Sequence, residues 1–366
     1  MPRFHSLMVD DVRQETADAV LIRFAIPAEL EAAFAFRPGQ HLGLRVELDG
    51  VDLRRTYSIC SGPEDDGLCI VVKRVGGGRF SMFANDELSP GMAIDVMPPA
   101  GRFTPPIDPT EPRSYVAFAA GSGITPVLSI LKTVLAETAD SRFLLIYGNR
   151  TSGSVLFKDV LEDLKDRHLE RFSLVHVLSR ERSDPPLANG RLDRVKFEQV
   201  LGSIVRPDEI DQALLCGPGE MIDVGRTVLK AAGVPAERIL SERFQPKRTG
   251  GGPDERPGRS NREGGASAEH GAGTVEVEVV LDGARHGFRM ARDGTAIVDA
   301  ALDQGLELPY SCKGGMCCTC RAMLREGEVE MATNYSLEPW EVEAGYVLCC
   351  QARPLTDRLV LDFDQV

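Results

Sequence analysis

No apolar stretch of this chain approaches the roughly 18 to 20 residues that span a bilayer. The opening MPRFHSLMVDD lacks the basic-then-apolar pattern of a secretory signal. A cytoplasmic protein is the expectation. An excess of basic charge is also missing: 42 Lys and Arg stand against 55 Asp and Glu, a net charge of −13. That balance speaks against nucleic acid and against anionic membrane surfaces as partners. The six histidines, at 5, 41, 168, 176, 270 and 286, are scattered and form no His-x-x-x-His pair. None is assigned a metal or a triad. No internal repeat organises the chain.

Cysteine, by contrast, is plentiful: nine residues, six of them between positions 312 and 350. Without a secretory context, ligation accounts for this density better than disulfides. Four residues separate Cys312 from Cys317, two separate Cys317 from Cys320, and 29 separate Cys320 from Cys350. This is the C-x4-C-x2-C…C spacing of plant-type [2Fe–2S] sites. Such a cluster needs four thiolates at its corners, and a short loop can wrap three of them. Gly314 and Gly315 let that loop bend tightly and turn N–H groups toward sulfur. The fourth ligand must return from a distant strand. Cys318 and Cys349 are spare thiols beside ligands, and spacing alone favours Cys350 over Cys349. Structural zinc is the alternative occupant. Of Cys60, Cys69 and Cys216, two read as small core residues.

At 366 residues the chain suits about two or three domains. The first reads as an antiparallel β-barrel over 1–107. Its alternating runs Ala19–Ile26, His41–Leu48 and Leu68–Val75 are separated by Pro38-Gly39, Asp49-Gly50 and Asp66-Gly67. One short helix, near Phe80–Asn85, interrupts them. Over 108–245 the rhythm becomes strand and helix, which predicts a doubly wound α/β domain. Strands are expected at Tyr115–Ala120, Phe143–Tyr147, Phe172–Leu178 and Gln212–Cys216. Helices are expected at Thr125–Ala136, at Gly219–Ala232, and where Leu156, Phe157, Val160, Leu161 and Leu164 share one face. From Gln245 to Gly273 almost nothing is apolar, so a flexible linker is assigned over 246–273, spanning roughly 30 Å as a coil. A small α+β (β-grasp) domain follows over 274–366, with a hairpin at Asp282-Gly283, a helix capped by Thr295 and ending at Gly305, and a closing strand Leu359–Phe363. It holds sixteen acids against eight bases, a charge that could orient a basic partner.

Several stretches carry chemistry. In Arg54-Arg55-Thr56-Tyr57-Ser58-Ile59, Arg55 can neutralise a pyrophosphate, Tyr57 can stack on a planar ring and the Ser58 hydroxyl can reach a ring nitrogen. Gly76-Gly77-Gly78-Arg79-Phe80-Ser81 opens the barrel helix, where exposed N–H groups and the helix dipole favour an anion. Gly121-Ser122-Gly123-Ile124-Thr125-Pro126 joins a strand to a helix at the position of a dinucleotide pyrophosphate, with Pro126 replacing the third glycine of G-x-G-x-x-G. Cys216-Gly217-Pro218-Gly219 stands at the end of a later strand and faces the same crevice. Ser179 and Arg180, after another strand, suit a 2′-phosphate and hence NADPH, although NADH is possible.

Taken in order, Arg-x-Tyr-Ser, Gly-x-x-Ser, GSGITP, Tyr147-Gly-Asn149-Arg150 and CGPGEM resemble the ferredoxin–NADP reductase superfamily. The C-terminal ferredoxin pattern narrows this to reductase components of oxygenases. FAAGSGITPVLSI, LIYGNR and RRTYSIC are similar to the reductase subunits of phenylacetyl-CoA epoxidases. The resemblance implies FAD held by Arg55, Tyr57 and Ser58, with Gly78, Phe80 and Ser81 at its pyrophosphate. It implies a pyridine nucleotide at Gly121, Gly123, Thr125, Pro126, Asn149, Arg150, Gly217 and Pro218, with Cys216 near the nicotinamide. Glu242 and Phe244 match the acid and the aromatic beside the flavin, Phe244 without the usual hydroxyl. Cys349 stands where relatives often carry a small or hydroxyl residue. The implied route runs from NADPH through FAD and a [2Fe–2S] cluster held by Cys312, Cys317, Cys320 and Cys350 to the subunits of a di-iron oxygenase. Alternatives are an aromatic-ring mono- or dioxygenase reductase using NADH or FMN, and a non-catalytic carrier or redox sensor.

Overall fold

Alternation of buried and exposed residues sets the first sheet of the computed structural model, which describes residues 4–182, 184–244 and 273–365. The linker assigned over 246–273 lies, but for Gly273, outside them. The sheet comprises β1 (His5–Thr16), β2 (Ala19–Ala25), β3 (His41–Leu48), β4 (Val51–Ser58), β5 (Leu68–Lys73) and β6 (Ala93–Val96). Their order is β4-β3-β6-β1-β2-β5. Leu7, Val9, Ile22, Phe24, Leu42, Leu44, Ile70 and Val72 point into one core. Ile59 bridges Ile70, and the Cys60 N–H donates to the Cys69 carbonyl at 2.9 Å. These contacts tie the end of β4 to the far edge strand, so the sheet closes as a barrel. Asp49 (φ 51°) and Gly50 (φ 71°) make the tight β3–β4 turn that Asp-Gly signals.

Two helices, not one, interrupt the barrel: α1 (Glu31–Phe34) and α2 (Arg79–Asp86). The first is a single turn behind a 3-10 turn at Ala28–Leu30, too short to leave a periodic signal. It plugs the barrel with the buried Phe34.

The second sheet is wholly parallel. In chain order it runs β7 (Ser114–Ala120), α3 (Ile124–Glu137), β8 (Arg142–Asn149), α4 (Lys158–Arg167), β9 (Phe172–Leu178), α5 (Arg194–Ser203), β10 (Gln212–Gly217), α6 (Gly219–Ala231) and β11 (Ile239–Arg243). The strand order is β11-β10-β7-β8-β9. Winding proceeds outward from β7 to β9, then returns to the other side at β10. The switch therefore falls between the C-terminal ends of β7 and β10, where open α/β sheets bind ligands. Helices α3 and α4 pack on one face and α5 and α6 on the other. Helix α5 was not expected from the sequence; its start is set by Asp193 accepting from the Lys196 N–H at 3.0 Å. Leu156 and Phe157 precede α4 rather than line it, and Phe157 is left-handed at φ 59°.

The barrel, apart from Arg54–Thr56 of β4, and the parallel sheet form one compact unit. Ala19, Leu21, Cys60, Val71 and Phe103 of the barrel share a core with Val127, Leu128 and Leu131 of α3. Beside it, the buried Ser129 hydroxyl donates to the Ser61 carbonyl at 2.6 Å, and Lys132 pairs with Asp65 at 2.5 Å.

The other unit is the β-grasp fold. Its strands are β12 (Thr274–Leu281), β13 (Ala284–Ala291), β14 (Arg321–Glu326), β15 (Val329–Met331), β16 (Tyr346–Leu348), β17 (Ala352–Pro354) and β18 (Arg358–Asp362). The main sheet is ordered β13-β12-β18-β14-β16, with β15 and β17 as a separate pair. Only β12 and β18 run parallel in it. Helix α7 (Ile297–Asp303) seats Ile297, Val298 and Ala301 in the core. Its N-cap is Ala296 and not Thr295, whose N–H is taken by the Asp293 carboxylate at 3.0 Å. Helix α8 (Pro339–Glu343) places the fully buried Glu341 against Arg321 at 2.5 Å. No helix among the described residues is long and apolar enough to cross a membrane.

Candidate active site and cluster loop

Ser58 ends β4 and Glu242 lies near the end of β11, yet the Ser58 hydroxyl donates to Glu242 Oε2 at 3.0 Å. Parallel register sets Glu242 beside Cys216. The Cys216 thiol is fully buried, and burial, with the charge of Glu242, pushes it well above the ordinary thiol range. It is a neutral thiol at physiological pH. Three expected residues, 184 positions apart at the extremes, are thus brought together.

A fourth member was not expected. His41 Nδ1 stands 3.5 Å from Glu242 Oε1, and its backbone is fixed by two bonds to Ala100. Gly101 is left-handed at φ 112°, and a Cβ there would run into the imidazole. No spacing rule links residue 41 to residue 242, so the sequence carried no signal for it.

Tyr57 is half-buried and tilts over Phe80, with ring centroids 5.4 Å apart. Phe80 is itself buried and backs the tyrosine. Gly78 is the N-cap of α2. The Ser81 hydroxyl donates to the Gly78 carbonyl at 2.9 Å and accepts from the Val75 N–H at 3.1 Å. Ser81 braces the glycine turn, in which the Gly78 N–H also donates to the Val75 carbonyl at 2.9 Å. Arg55 lies half-buried on β4, one of its nitrogens donating to the Arg54 carbonyl at 2.8 Å. Phe244 packs partly buried on the core shared by barrel and α3.

At the switch point, Gly121 (φ 55°) begins the turn into α3. A Cβ on Gly123 would overlap the Cys216 carbonyl, so glycine is what lets this loop lie on the end of β10. The Thr125 hydroxyl donates to the Ser122 carbonyl at 3.0 Å, and Pro126 is buried in the first turn of α3. Gly217 and Pro218 lead into α6. Asn149 and Arg150 end β8 beside Ser179 and Arg180 after β9, joined by Ser179 N–H to Asn149 O at 3.0 Å and Arg180 N–H to Arg150 O at 2.8 Å. The Asn149 amide lies against the Tyr147 hydroxyl, but its Nδ2 is buried without a hydrogen-bond partner. A buried orphan donor of this kind costs roughly 1–3 kcal/mol unless a ligand accepts from it.

In the other unit, Lys313 (φ 48°), Gly315 (φ 72°) and Cys318 (φ 56°) are all left-handed, coiling the loop around its sulfurs. The Gly314 N–H donates to Cys312 Sγ at 3.3 Å. The Cys317 thiol and the N–H groups of Gly314 and Met316 lower the Cys312 thiol to about 7. Cys350 is held below the usual range by the Cys320 thiol and the Gly315 N–H. Cys349 is fully enclosed in the core, and burial pushes its thiol up. Cys350 thus meets the loop through Cys320 and the Gly315 N–H, although both cysteines lie in the core of this unit. Among the described residues no three His, Cys, Asp or Glu side chains close around a single ion. A two-iron cluster does not require that, since its four thiolates are divided between two metals.

Three family profiles match in this order: an oxidoreductase FAD-binding domain over residues 6–104, an oxidoreductase NAD-binding domain over 118–227 and a 2Fe-2S iron-sulfur cluster binding domain over 279–355. A component of the 1,2-phenylacetyl-CoA epoxidase of Escherichia coli is 44% identical over 364 residues, covering 100% of this chain and 99% of that one. The chain belongs to the three-domain oxygenase reductases of the ferredoxin–NADP reductase superfamily. The ferredoxin reductase component of 3-ketosteroid-9-alpha-monooxygenase from Rhodococcus rhodochrous is 38% identical, over 98% of this chain and 96% of its own. Phthalate dioxygenase reductase shares the fold, with a TM-score of 0.59 at 23% identity over 98% of both chains. Like these oxygenase reductases, the protein is an NAD(P)H-dependent flavin and iron–sulfur oxidoreductase.

Proposed function

We propose that the protein passes electrons from NADPH through FAD and a [2Fe–2S] cluster to the subunits of a di-iron oxygenase acting on phenylacetyl-CoA. Whole-length identity to the E. coli epoxidase component carries the choice of client. FAD would lie on Tyr57 with its pyrophosphate at Arg55 and the N–H groups of the Gly78 turn, and the nucleotide would lie along Gly121–Pro126. When bound, flavin and cluster together supply the exchange of a hydride for single electrons.

The chain's own residues prepare that exchange. Ser58 and Glu242, fixed from two domains, orient a ring edge where β7 and β10 end. Neutral Cys216 presents a small, uncharged wall there. The orphan Asn149 donor supports a nucleotide acceptor at the end of β8. Arg150 and Arg180 are exposed on adjacent strand ends, and neither is ion-paired among the described residues. Glu181 is turned to the Ser152 hydroxyl at 3.2 Å. Two free guanidinium groups beside Ser179 suit a 2′-phosphate. In the cluster loop, an all-sulfur donor set with N–H groups aimed at sulfur suits a [2Fe–2S] cluster, with Cys312, Cys317, Cys320 and Cys350 as ligands.

The test is reconstitution of the full chain with the oxygenase subunits of a phenylacetyl-CoA epoxidase. NADPH-dependent epoxide formation, with Arg180→Ala raising KM for NADPH and not for NADH, is the expected result. No turnover there, but turnover with a steroid or aromatic-ring oxygenase, would favour the reading suggested by the 38% identical reductase.

A further inference from the structure

One barrel residue reaches into the loop between β8 and α4. The pairing of β1 with β2 slips in register twice, between Val9 and Asp11 and again between Gln14 and Thr16. Glu15 is the residue at the second slip, and a bulge re-aims the side chain it carries. Its Oε1 accepts the Phe157 N–H at 2.6 Å. Phe157 is the N-cap of α4, so this N–H has no partner within the helix. It is also a bulky residue in the left-handed region, a conformation that persists only where neighbours hold it. The Leu156 backbone lies against the Tyr147 hydroxyl, and Glu15 is close enough for its charge to act on that group. Tyr147 is fully buried, and its hydroxyl donates to the Gly121 carbonyl at 3.0 Å. Gly121 opens the glycine turn at the switch point.

We propose that Glu15 is a positioning residue for pyridine-nucleotide binding. Its carboxylate holds the Phe157 turn, the turn seats Tyr147, and Tyr147 fixes the carbonyl of Gly121. The flavin-carrying barrel thereby sets the shape of the loop that receives the nucleotide. The proposal rests on reading Gly121–Pro126 as the nucleotide site. Removing the acceptor should loosen that loop before a nucleotide arrives, so the loss appears in binding and not in the step that follows it.

The experiment is steady-state ferricyanide reduction by the full holo-chain, with NADPH and NADH titrated separately, for Glu15→Ala, Glu15→Gln, Tyr147→Phe, the Glu15→Ala/Tyr147→Phe pair and Gly121→Ala. Glu15→Ala is expected to raise KM for both nucleotides roughly three- to tenfold, the range of one lost hydrogen bond, with kcat changed less than about twofold. Glu15→Gln keeps an acceptor oxygen and should restore KM. The paired variant should be no worse than the poorer single one, because both break one relay. Unchanged KM in Glu15→Ala with a lowered melting temperature would overturn the proposal, as would failure of Glu15→Gln to restore KM or effects that multiply in the pair. If Glu15→Ala does not fold, Tyr147→Phe decides by the same KM readout. Gly121→Ala tests the underlying reading. If it leaves KM unchanged, the loop is not the nucleotide site and the proposal falls with it. If it raises KM while Glu15→Ala does not, the site stands and only the relay fails.

Discussion

The proposed cluster loop and the proposed flavin–nucleotide site are built on opposite plans. Three of the four proposed cluster ligands lie within nine residues, held by a loop whose left-handed residues turn its N–H groups toward sulfur. At the proposed flavin site, Ser58, Glu242, Cys216 and His41 come from four strands of two domains and meet only because a shared core fixes α3 against the barrel. A local site is specified by spacing and survives on its own loop. A distributed site is specified by packing, so it inherits every displacement of the domains that carry it.

The largest effect should appear where the plan is local. Cys350→Ser should abolish the visible absorption of the cluster, whereas Cys349→Ser should retain it. The reverse would move the ligand by one residue and break the contrast. At the distributed site the loss should be large but incomplete. Ser58→Ala leaves Glu242 with His41 as its remaining partner and should slow flavin reduction by NADPH roughly 100-fold, the cost of a small misplacement in a transfer site. Stopped-flow absorbance measures it, and a change below threefold would show that the contact is only structural.

The smallest effect concerns pH. The thiols of Cys60 and Cys216 are raised mainly by burial, and Tyr115 is pushed up to about 12, also mainly by burial. Each is neutral in both states at low pH. Above the ordinary thiol value near 9, the unfolded chain loses protons that the folded chain keeps. The unfolded state then binds fewer protons, and stability falls as pH rises. All three groups belong to the unit built from barrel and parallel sheet. Its melting temperature should therefore be steady from pH 7 to 8.5 and decline above about pH 9. A flat profile to pH 10.5 would show that this core is wetter than its packing indicates.

The same contrast explains what could be read from the chain. Cysteine spacing singled out the Cys312–Cys320 loop because three of its cysteines are sequence neighbours, and the Asp49-Gly50 and Asp282-Gly283 hairpins were equally visible because turn chemistry is local. Gly121–Pro126 and Cys216–Gly217 were placed correctly at strand ends because the strand–helix rhythm is strong. His41 escaped notice because its partner is two hundred residues away. Helix α5 escaped because its capping aspartate introduces only a short, weakly patterned segment. Phe157 looked like part of a helical face because apolar spacing does not report a left-handed backbone.

The proposed function rests on electron flow from nucleotide to flavin to cluster. Anaerobic stopped-flow of the full holo-chain against NADPH, followed at flavin and cluster wavelengths together, tests that order directly. Flavin absorbance should fall first and cluster reduction should follow, with Cys350→Ser showing only the first phase. Cluster reduction that precedes flavin bleaching, or that persists in a preparation stripped of flavin, would contradict it.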